Sequence, residues 1–307
     1  MKTRFFFFFF VIFQCCAICA QDINYARRII DTLCSSSMHG RGCVSNGDRK
    51  VALFIKNEFI KNSTSFFDTS YFQYFNLPIS TLPGKVNVSF KKNKLLPAVD
   101  YLVSASGPSI KGTYKILKLD QQKATDINSL KKFLTTDFSQ SFLLIDREGI
   151  SDKEILNALN IIEYSNPIQA KGIITIKDNL TWGISDALSP ATFSTITIKK
   201  NSFPLNSKKI SVDIEQEIQS PHGFLNVIGY IKGITKSDSF IVFTAHYDHL
   251  GQMDSDVFFP GANDNASGVA LLLNLAKHYA FEKPQYSVVF IALAAEELEI
   301  GRASCRE

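Results

Sequence analysis

The sequence predicts an α/β fold in which a mostly parallel, mixed sheet is flanked by helices and accompanied by a smaller α/β insert. Two observations favour this class. Apolar runs at 240–245 and 288–293 have the length of buried strands, and a helix-like segment at about 266–279 separates them. Strands with near-continuous apolar sequence are typical of parallel sheets covered on both faces. A chain of 307 residues, 45% of them hydrophobic, is long enough for two domains.

The overall charge argues against nucleic acid as a partner. The formal net charge is +4, from 33 basic and 29 acidic residues, and the lysines are scattered apart from short pairs such as Lys91-Lys92. A scattered pattern indicates a solvated surface and not a basic binding patch.

The first twenty residues have the pattern of a secretory signal peptide. Lys2 and Arg4 precede an apolar run at 5–13, and small residues follow as far as Ala20. The run is too short to cross a bilayer as a helix. A buried N-terminal strand is the alternative. We expect cleavage near Ala20, no stable membrane insertion afterwards, and a secreted or periplasmic protein.

Three cysteines lie outside this segment, namely Cys34, Cys43 and Cys305. In an oxidising compartment Cys34 and Cys43 could close a small loop. Two free thiols are an equally weighted alternative, and the spacing matches no cysteine-based metal motif.

Residues 21–94 are predicted to form an N-terminal helical part of the main domain. Apolar residues recur at helical spacing over 26–33 and again over 51–59, as in two amphipathic helices. A glycine-rich turn between them contains His39. A single histidine in such a turn is more often a structural hydrogen-bonding group than a metal ligand.

Residues 95–207 are predicted to form the α/β insert. Strand-like runs at 142–145 and 172–176 enclose a helical stretch at 152–164. No nucleophile is paired with a base in this region, so no chemistry is expected there. Trp182 is interpreted as a cover for the core of the insert and not as a ligand contact.

Residues 208–298 return to the main domain, with strands predicted at 210–218 and 224–231 before the apolar runs. Ligands of open α/β sheets bind beyond the carboxyl ends of the strands. His246 and Asp248 follow the run at 240–245, and strand alternation places both on one side. Asp248 can then orient the imidazole, as carboxylates do for metal-bound histidines. This pair alone is weak support for a metal site.

Two further acidic motifs lie at predicted strand or helix ends. Asp264 immediately precedes the helix, where a carboxylate either caps the helix or bridges two cations. If Asp264 binds metal, Asn265 or Ser267 is left to cap the helix. Glu296 and Glu297 follow the run at 288–293, and two acids there are either solvated or face cations, because burial without compensation is costly.

The order and spacing of these motifs resemble the aminopeptidase Y family of di-zinc exopeptidases, whose relatives include glutamate carboxypeptidase II and glutaminyl cyclase. The resemblance runs from 226–233 through the histidine and aspartate motifs to Glu296-Glu297. The turn at 38–41 resembles the N-terminal part of bacterial members. The module at 95–207 is similar to the protease-associated insert of many members. The implied fold is the zinc-exopeptidase, phosphorylase/hydrolase-like one.

The resemblance also implies a role for each motif residue. His246 would bind one zinc ion, Asp264 would bridge two, and Glu297 would bind the second. Asp248 would orient His246, and Glu296 would be the general base. A hydroxide held between the ions would attack the peptide carbonyl of a peptide substrate. Imidazole and carboxylate ligands in an exported protein suit zinc.

The resemblance ends after Leu298. Family members continue with a glycine-rich turn and, further on, an aspartate and a histidine that bind zinc, whereas residues 299–307 form an anomalous tail. We therefore expect a C-terminally truncated domain that binds zinc weakly and has no peptidase activity.

Three alternatives to an aminopeptidase remain open. A carboxypeptidase or a glutaminyl cyclase would use the same metal core. A non-catalytic binding protein with a peptidase-like domain, as in the transferrin receptor, is a second alternative. An exported α/β binding domain without metal is the third, and it requires that the motif side chains do not converge.

Overall fold

The structure, a computed structural model, describes residues 22–298 apart from residues 92 and 205. The expected signal peptide at 1–20 and the tail at 299–307, including Cys305, lie outside the described residues. Within 22–298, none of the helices has the length and apolar character needed to cross a bilayer.

The described residues form five α-helices and fifteen strands. The helices are α1 (Ile23–Leu33), α2 (Gly47–Lys61), α3 (Ile127–Phe133), α4 (Lys153–Ser165) and α5 (Ser267–Phe281). The strands are β1 (Phe72–Thr81), β2 (Val86–Phe90), β3 (Asn93–Lys94), β4 (Tyr101–Val103), β5 (Ile110–Leu119), β6 (Ser141–Ile145), β7 (Gly172–Lys177), β8 (Ser185–Asp186), β9 (Ser194–Lys199), β10 (Lys209–Ile214), β11 (Glu217–Ile231), β12 (Lys236–His246), β13 (Gln252–Met253), β14 (Val257–Phe258) and β15 (Tyr286–Leu293).

The main sheet has the strand order β12-β15-β11-β1-β8. The α/β class, with mixed sheets and flanking helices, is confirmed. The expected predominance of parallel pairs is not found in the described part of this sheet, where only β12 and β15 are parallel and the other neighbours are antiparallel. The reason is topological: a parallel pair needs a crossover, and α5 between β12 and β15 supplies the one crossover among these strands.

The crossover is held by aromatic packing between α5 and the two strands that it connects. Phe243 of β12 stacks on Phe290 of β15 with ring centroids 5.9 Å apart, and Tyr279 of α5 stacks on Phe243 at 6.1 Å. Phe290 is fully buried. Because β12 and β15 run side by side in the same direction, their carboxyl ends meet at one edge of the sheet.

The two predicted N-terminal helices are present and pack on the same sheet. Ile29 and Leu33 of α1 are buried in the main core, and Ile55 and Phe59 of α2 join them. Helical spacing of these apolar residues produces one buried face on each helix. The Asp22 side chain caps α1 by accepting a hydrogen bond from the Tyr25 backbone N–H at 3.0 Å.

The remainder of the predicted helical part, after residue 61, is β-structure. β1 pairs with β11 over its full length, with Phe72 opposite Val227 and Thr81 opposite Glu217. This segment forms a strand because it pairs with β11, about 140 residues further along the chain. Local periodicity does not reveal such a distant partner.

The second sheet has the order β3-β2-β10-β5-β6-β7-β9-β4. Near one edge of this sheet β2 pairs with β10, and Val88 lies opposite Val212. Because β2 precedes residue 95 and β10 follows residue 207, the sheet extends beyond both predicted boundaries of the insert. The predicted strand at 210–218 is accordingly divided: β10 belongs to the second sheet and β11 to the main sheet. Composition gives no sign of this long-range pairing.

Alternation along β6 separates the two cores of the second sheet. Phe142 and Leu144 point into one apolar cluster, and Leu143 and Ile145 point into another that α3 and α4 cover. Trp182 packs on the first of these clusters and donates a hydrogen bond from its indole N–H to the Val103 carbonyl at 2.7 Å.

Cys34 and Cys43 are free thiols in the structure, so the disulfide alternative is not realised here. His39 lies within hydrogen-bond distance of the Gln252 side-chain oxygen, 3.0 Å from Nδ1. Its environment is that of a structural hydrogen-bonding group.

Candidate metal centre

The carboxyl ends of β12 and β15 bring the predicted residues together. His246 is the last residue of β12 and lies opposite Leu293 of β15. Glu296 and Glu297 begin a short 3-10 turn three residues after β15 ends. Asp264 comes from the turn Ala262–Ala266, which leads directly into α5. Three separate chain segments therefore converge at one edge of the sheet.

The distances would allow these side chains to hold a metal ion. Nε2 of His246 lies 3.2 Å from a carboxylate oxygen of Asp264. Ligand atoms of His246, Asp264 and Glu297 all lie within 4.8 Å of one another. Glu296 is adjacent, with a carboxylate oxygen 3.9 Å from Nε2 of His246. The third alternative from the sequence required that these side chains not converge, and they do converge.

The side chains fit a zinc ion. Both oxygen acceptors near Nδ1 of His246 belong to Asp248: the backbone carbonyl at 3.3 Å and a carboxylate oxygen at 3.8 Å. An N–H on Nδ1 leaves Nε2 as the nitrogen that faces Asp264 and can bind metal. That Asp248 oxygen is buried without a hydrogen-bond partner and lies on the Nδ1 side of His246.

Asp248 also connects two of the converging segments. Its other carboxylate oxygen accepts a hydrogen bond from the Glu297 backbone N–H at 3.1 Å. Burial raises the pKa of the Asp248 carboxyl above its ordinary value, and the Glu297 N–H and the nearby His246 oppose this shift. A buried carboxylate is costly without a cationic partner, and a metal-bound imidazole is such a partner.

Asp264 is not used as a helix cap. The side-chain oxygen of Asn265 accepts the hydrogen bond from the Gly268 backbone N–H at 3.1 Å, which satisfies the first turn of α5. The Asp264 carboxylate is therefore free to bind metal, and its side chain is 61% exposed at the mouth of the site.

His249 is a site residue that the sequence interpretation missed. Its Nδ1 lies 2.7 Å from a carboxylate oxygen of Glu297, and both side chains are largely buried. β12 ends at His246, so the strand alternation that selected His246 and Asp248 reaches neither Asp248 nor His249. Its position one residue after Asp248 and three residues after His246 was the available signal.

Arg41 is the second missed residue. Its side chain is fully buried, and Nε donates to the Tyr247 carbonyl at 2.8 Å. One terminal nitrogen donates to the carbonyls of Gly261 and Asp264 at 2.9 and 3.0 Å, and the other donates to that of Pro260. The guanidinium thus holds the segment after β12 and the segment of Asp264 in fixed relation.

The turn that carries Arg41 is packed closely against the loop after β12. Gly40 has φ of +60°, and a Cβ there would overlap the carbonyl oxygens of Gly251 and Phe259. Glycine is required for this approach of two backbones. The arginine flanked by Gly40 and Gly42 was visible in the sequence, but its partners were not.

A cavity of about 380 Å³ opens beside Glu296. Gln73, Tyr74 and Phe75 of β1 line one side, and Asn226 of β11 lines another. The Asn226 side-chain oxygen also accepts a hydrogen bond from the Ala294 backbone N–H at 2.9 Å, which fixes the end of β15. The candidate general base therefore faces open space next to the metal cluster.

Comparison with known sequences finds a family model that matches part of this chain. The profile of peptidase family M28 matches residues 226–302. A probable zinc metalloprotease of Pyricularia oryzae is 38% identical over 86 residues, which are 27% of this chain and 17% of that protein. The chain thus spans only a small part of the curated relatives that it matches.

Solved structures match over most of the described chain. A zinc aminopeptidase from Bacillus subtilis superimposes with a TM-score of 0.62 at 22% identity, over 90% of this chain and 62% of the other. A peptidase M28 precursor from Shewanella amazonensis gives 0.60 at 18% identity, over 94% and 68%. Residues 226–302 therefore match peptidase family M28, within a chain that has the fold of bacterial zinc aminopeptidases.

Proposed function

We propose that the cluster is the active centre of a zinc-dependent exopeptidase, specifically an aminopeptidase, with peptides as substrates. The observation that carries the proposal is the convergence of His246, Asp264 and Glu297 ligand atoms within 4.8 Å, with Glu296 beside them. The family match over 226–302 and the aminopeptidase fold support it.

The residues have separate roles in this proposal. His246, Asp264 and Glu297 would hold two zinc ions. Zinc ions, when bound, supply Lewis-acid polarisation of the peptide carbonyl and lower the pKa of water. Asp248 fixes the imidazole of His246, and His249 fixes the carboxylate of Glu297.

Glu296 acts as the general base and acid. Its carboxylate, 40% exposed, can take a proton from the attacking water and return it to the leaving amine. The adjacent cavity receives the substrate residue on the Glu296 side, where Tyr74 and Phe75 offer aromatic surface. A binding protein without catalysis has no need for an acid placed beside the cluster but outside the ligand set.

Metal analysis of matched variants tests the assignment. Zinc stoichiometry by native mass spectrometry should fall in His246→Ala and stay at the wild-type level in Glu296→Gln. Turnover of aminoacyl anilides, where the wild type shows it, should fall at least 100-fold in Glu296→Gln. Equal zinc content in wild type and His246→Ala would overturn the proposal.

Two earlier expectations stay predictions. The same zinc and turnover measurements on the printed chain test whether it binds zinc weakly and lacks activity. We also propose that the protein is secreted or periplasmic, on the pattern of residues 1–20. N-terminal sequencing of the exported product should then start near residue 21.

A further inference from the structure

We propose that Cys43, Asp48 and His222 form a second metal site, which shares no ligand with the candidate active centre and takes zinc or a similar borderline-soft divalent cation. Ligand atoms of the three side chains all lie within 4.8 Å of one another. Cys43 precedes a 3-10 turn, Asp48 lies in the first turn of α2, and His222 lies on β11. The site would therefore join three separate parts of the main domain.

The Asp48 carboxylate supplies the independent observation that a ligand is needed. The residue is only 2% exposed, and one of its oxygens is buried without a hydrogen-bond partner. Among the residues described, the imidazole of His222 is the one basic side chain within ion-pair distance of it. A buried carboxylate with one oxygen unsatisfied is costly, and a divalent cation removes that cost.

The hydrogen bonds of His222 lead to the same conclusion. Its Nδ1 lies 2.9 Å from the side-chain oxygen of Gln219, which accepts an N–H there. Its Nε2 lies 2.7 Å from the second oxygen of Asp48. Nε2 of His222 therefore faces the Asp48 carboxylate, to which it donates a hydrogen bond when protonated and beside which it can bind a cation when its lone pair is free. Orientation by a partner on the other ring nitrogen is typical of metal-bound histidines.

The donor set selects the class of metal. Thiolate sulfur, imidazole nitrogen and carboxylate oxygen together suit zinc, whereas calcium and magnesium prefer oxygen ligands alone. Binding forms a metal–sulfur bond, and the thiol proton of Cys43 passes to the solvent. A cavity of about 30 Å³ lined by Cys43 and Asp48 has room for one water molecule, which needs roughly 15 Å³.

The position of the cluster suggests a structural role. Cys43 lies two residues after Arg41, whose guanidinium holds the backbone around Asp264 and Tyr247. A cation bound to Cys43, Asp48 and His222 would fix the Arg41 turn to α2 and to β11. The second site would thereby stabilise the scaffold of the first.

Cobalt substitution distinguishes the two sites, because only the proposed second site contains a thiolate. The full chain with Co²⁺ should show a near-ultraviolet thiolate-to-cobalt charge-transfer band. The band should persist in His246→Ala and in the matched cysteine controls Cys34→Ser and Cys305→Ser, and it should disappear in Cys43→Ser and His222→Asn. Absence of the band in the wild type, or its retention in Cys43→Ser, would overturn the proposal.

A second measurement on unmutated protein covers the case in which Cys43→Ser does not fold. Alkylation rates at single cysteines are followed by peptide mass spectrometry with and without Zn²⁺. Zinc should slow the modification of Cys43 at least 10-fold and leave Cys34 unchanged. Equal rates at Cys43 with and without zinc would contradict the assignment.

Discussion

Replacement of Arg41 by methionine should destabilise the fold and weaken zinc binding at the candidate metal centre. Methionine retains most of the side-chain length but donates no hydrogen bond. The carbonyls of Tyr247, Pro260, Gly261 and Asp264 then each lose the hydrogen bond that Arg41 donates. The fifth contact, to the Leu33 carbonyl at 3.4 Å, is long and adds little.

The expected loss of stability follows from these four bonds. A typical buried hydrogen bond contributes about 1 kcal/mol net, so four of them give about 4 kcal/mol. Arg41→Lys keeps the charge but has no planar fork, and a lysine can reach about half of the same carbonyls, so about 2 kcal/mol should be lost. Misplacement of the Asp264 backbone should also weaken zinc binding about 10- to 100-fold.

Urea unfolding of the zinc-free protein measures the first effect, and competition with a chromophoric zinc chelator measures the second. Arg49→Met is the matched control, because Arg49 makes one exposed hydrogen bond, 3.3 Å to the Gly223 carbonyl. The control should change the free energy of unfolding by less than about 0.5 kcal/mol. If Arg41→Met lost no more stability than the control and bound zinc like the wild type, the positioning role of Arg41 would be refuted.

Three further substitutions probe other parts of the molecule. His249→Phe should weaken zinc binding about 10-fold in the chelator competition, because Glu297 loses its orienting partner at 2.7 Å, and wild-type affinity would contradict this role. Phe290→Ala should lower the free energy of unfolding in urea by about 3–5 kcal/mol, because the ring is fully buried against Phe243. A decrease below about 1 kcal/mol would exclude tight packing there. Asp152→Ala should lower the free energy of unfolding by about 1 kcal/mol in the same assay, because the Asp152 side chain caps α4 by accepting a hydrogen bond from the Glu154 N–H at 2.8 Å. Asp152→Asn should lower it much less, because asparagine also caps helices. Equal effects of the two variants would argue against the cap.

Local sequence patterns predicted much of the main domain. Apolar periodicity located α1 and α2, and unbroken apolar runs located β12 and β15, because these signals depend on the residues of one segment. The same patterns did not identify β1 as a strand or assign β10 to the second sheet. Both outcomes depend on pairing partners far away in the chain, and such partners leave no local trace.

The sequence by itself identified the residues of the candidate site that the structure brings together. A histidine and four acids lie near the ends of apolar strands and a helix, where charges are costly unless they are solvated or paired with a cation. Only the tertiary structure decided which groups support them. Arg41 donates hydrogen bonds to buried backbone carbonyls, and His249 contacts Glu297 from another chain segment. Cys43, Asp48 and His222 come together from three separate parts of the chain. These contacts exist only once helices and strands have packed, because each joins atoms that are distant along the chain.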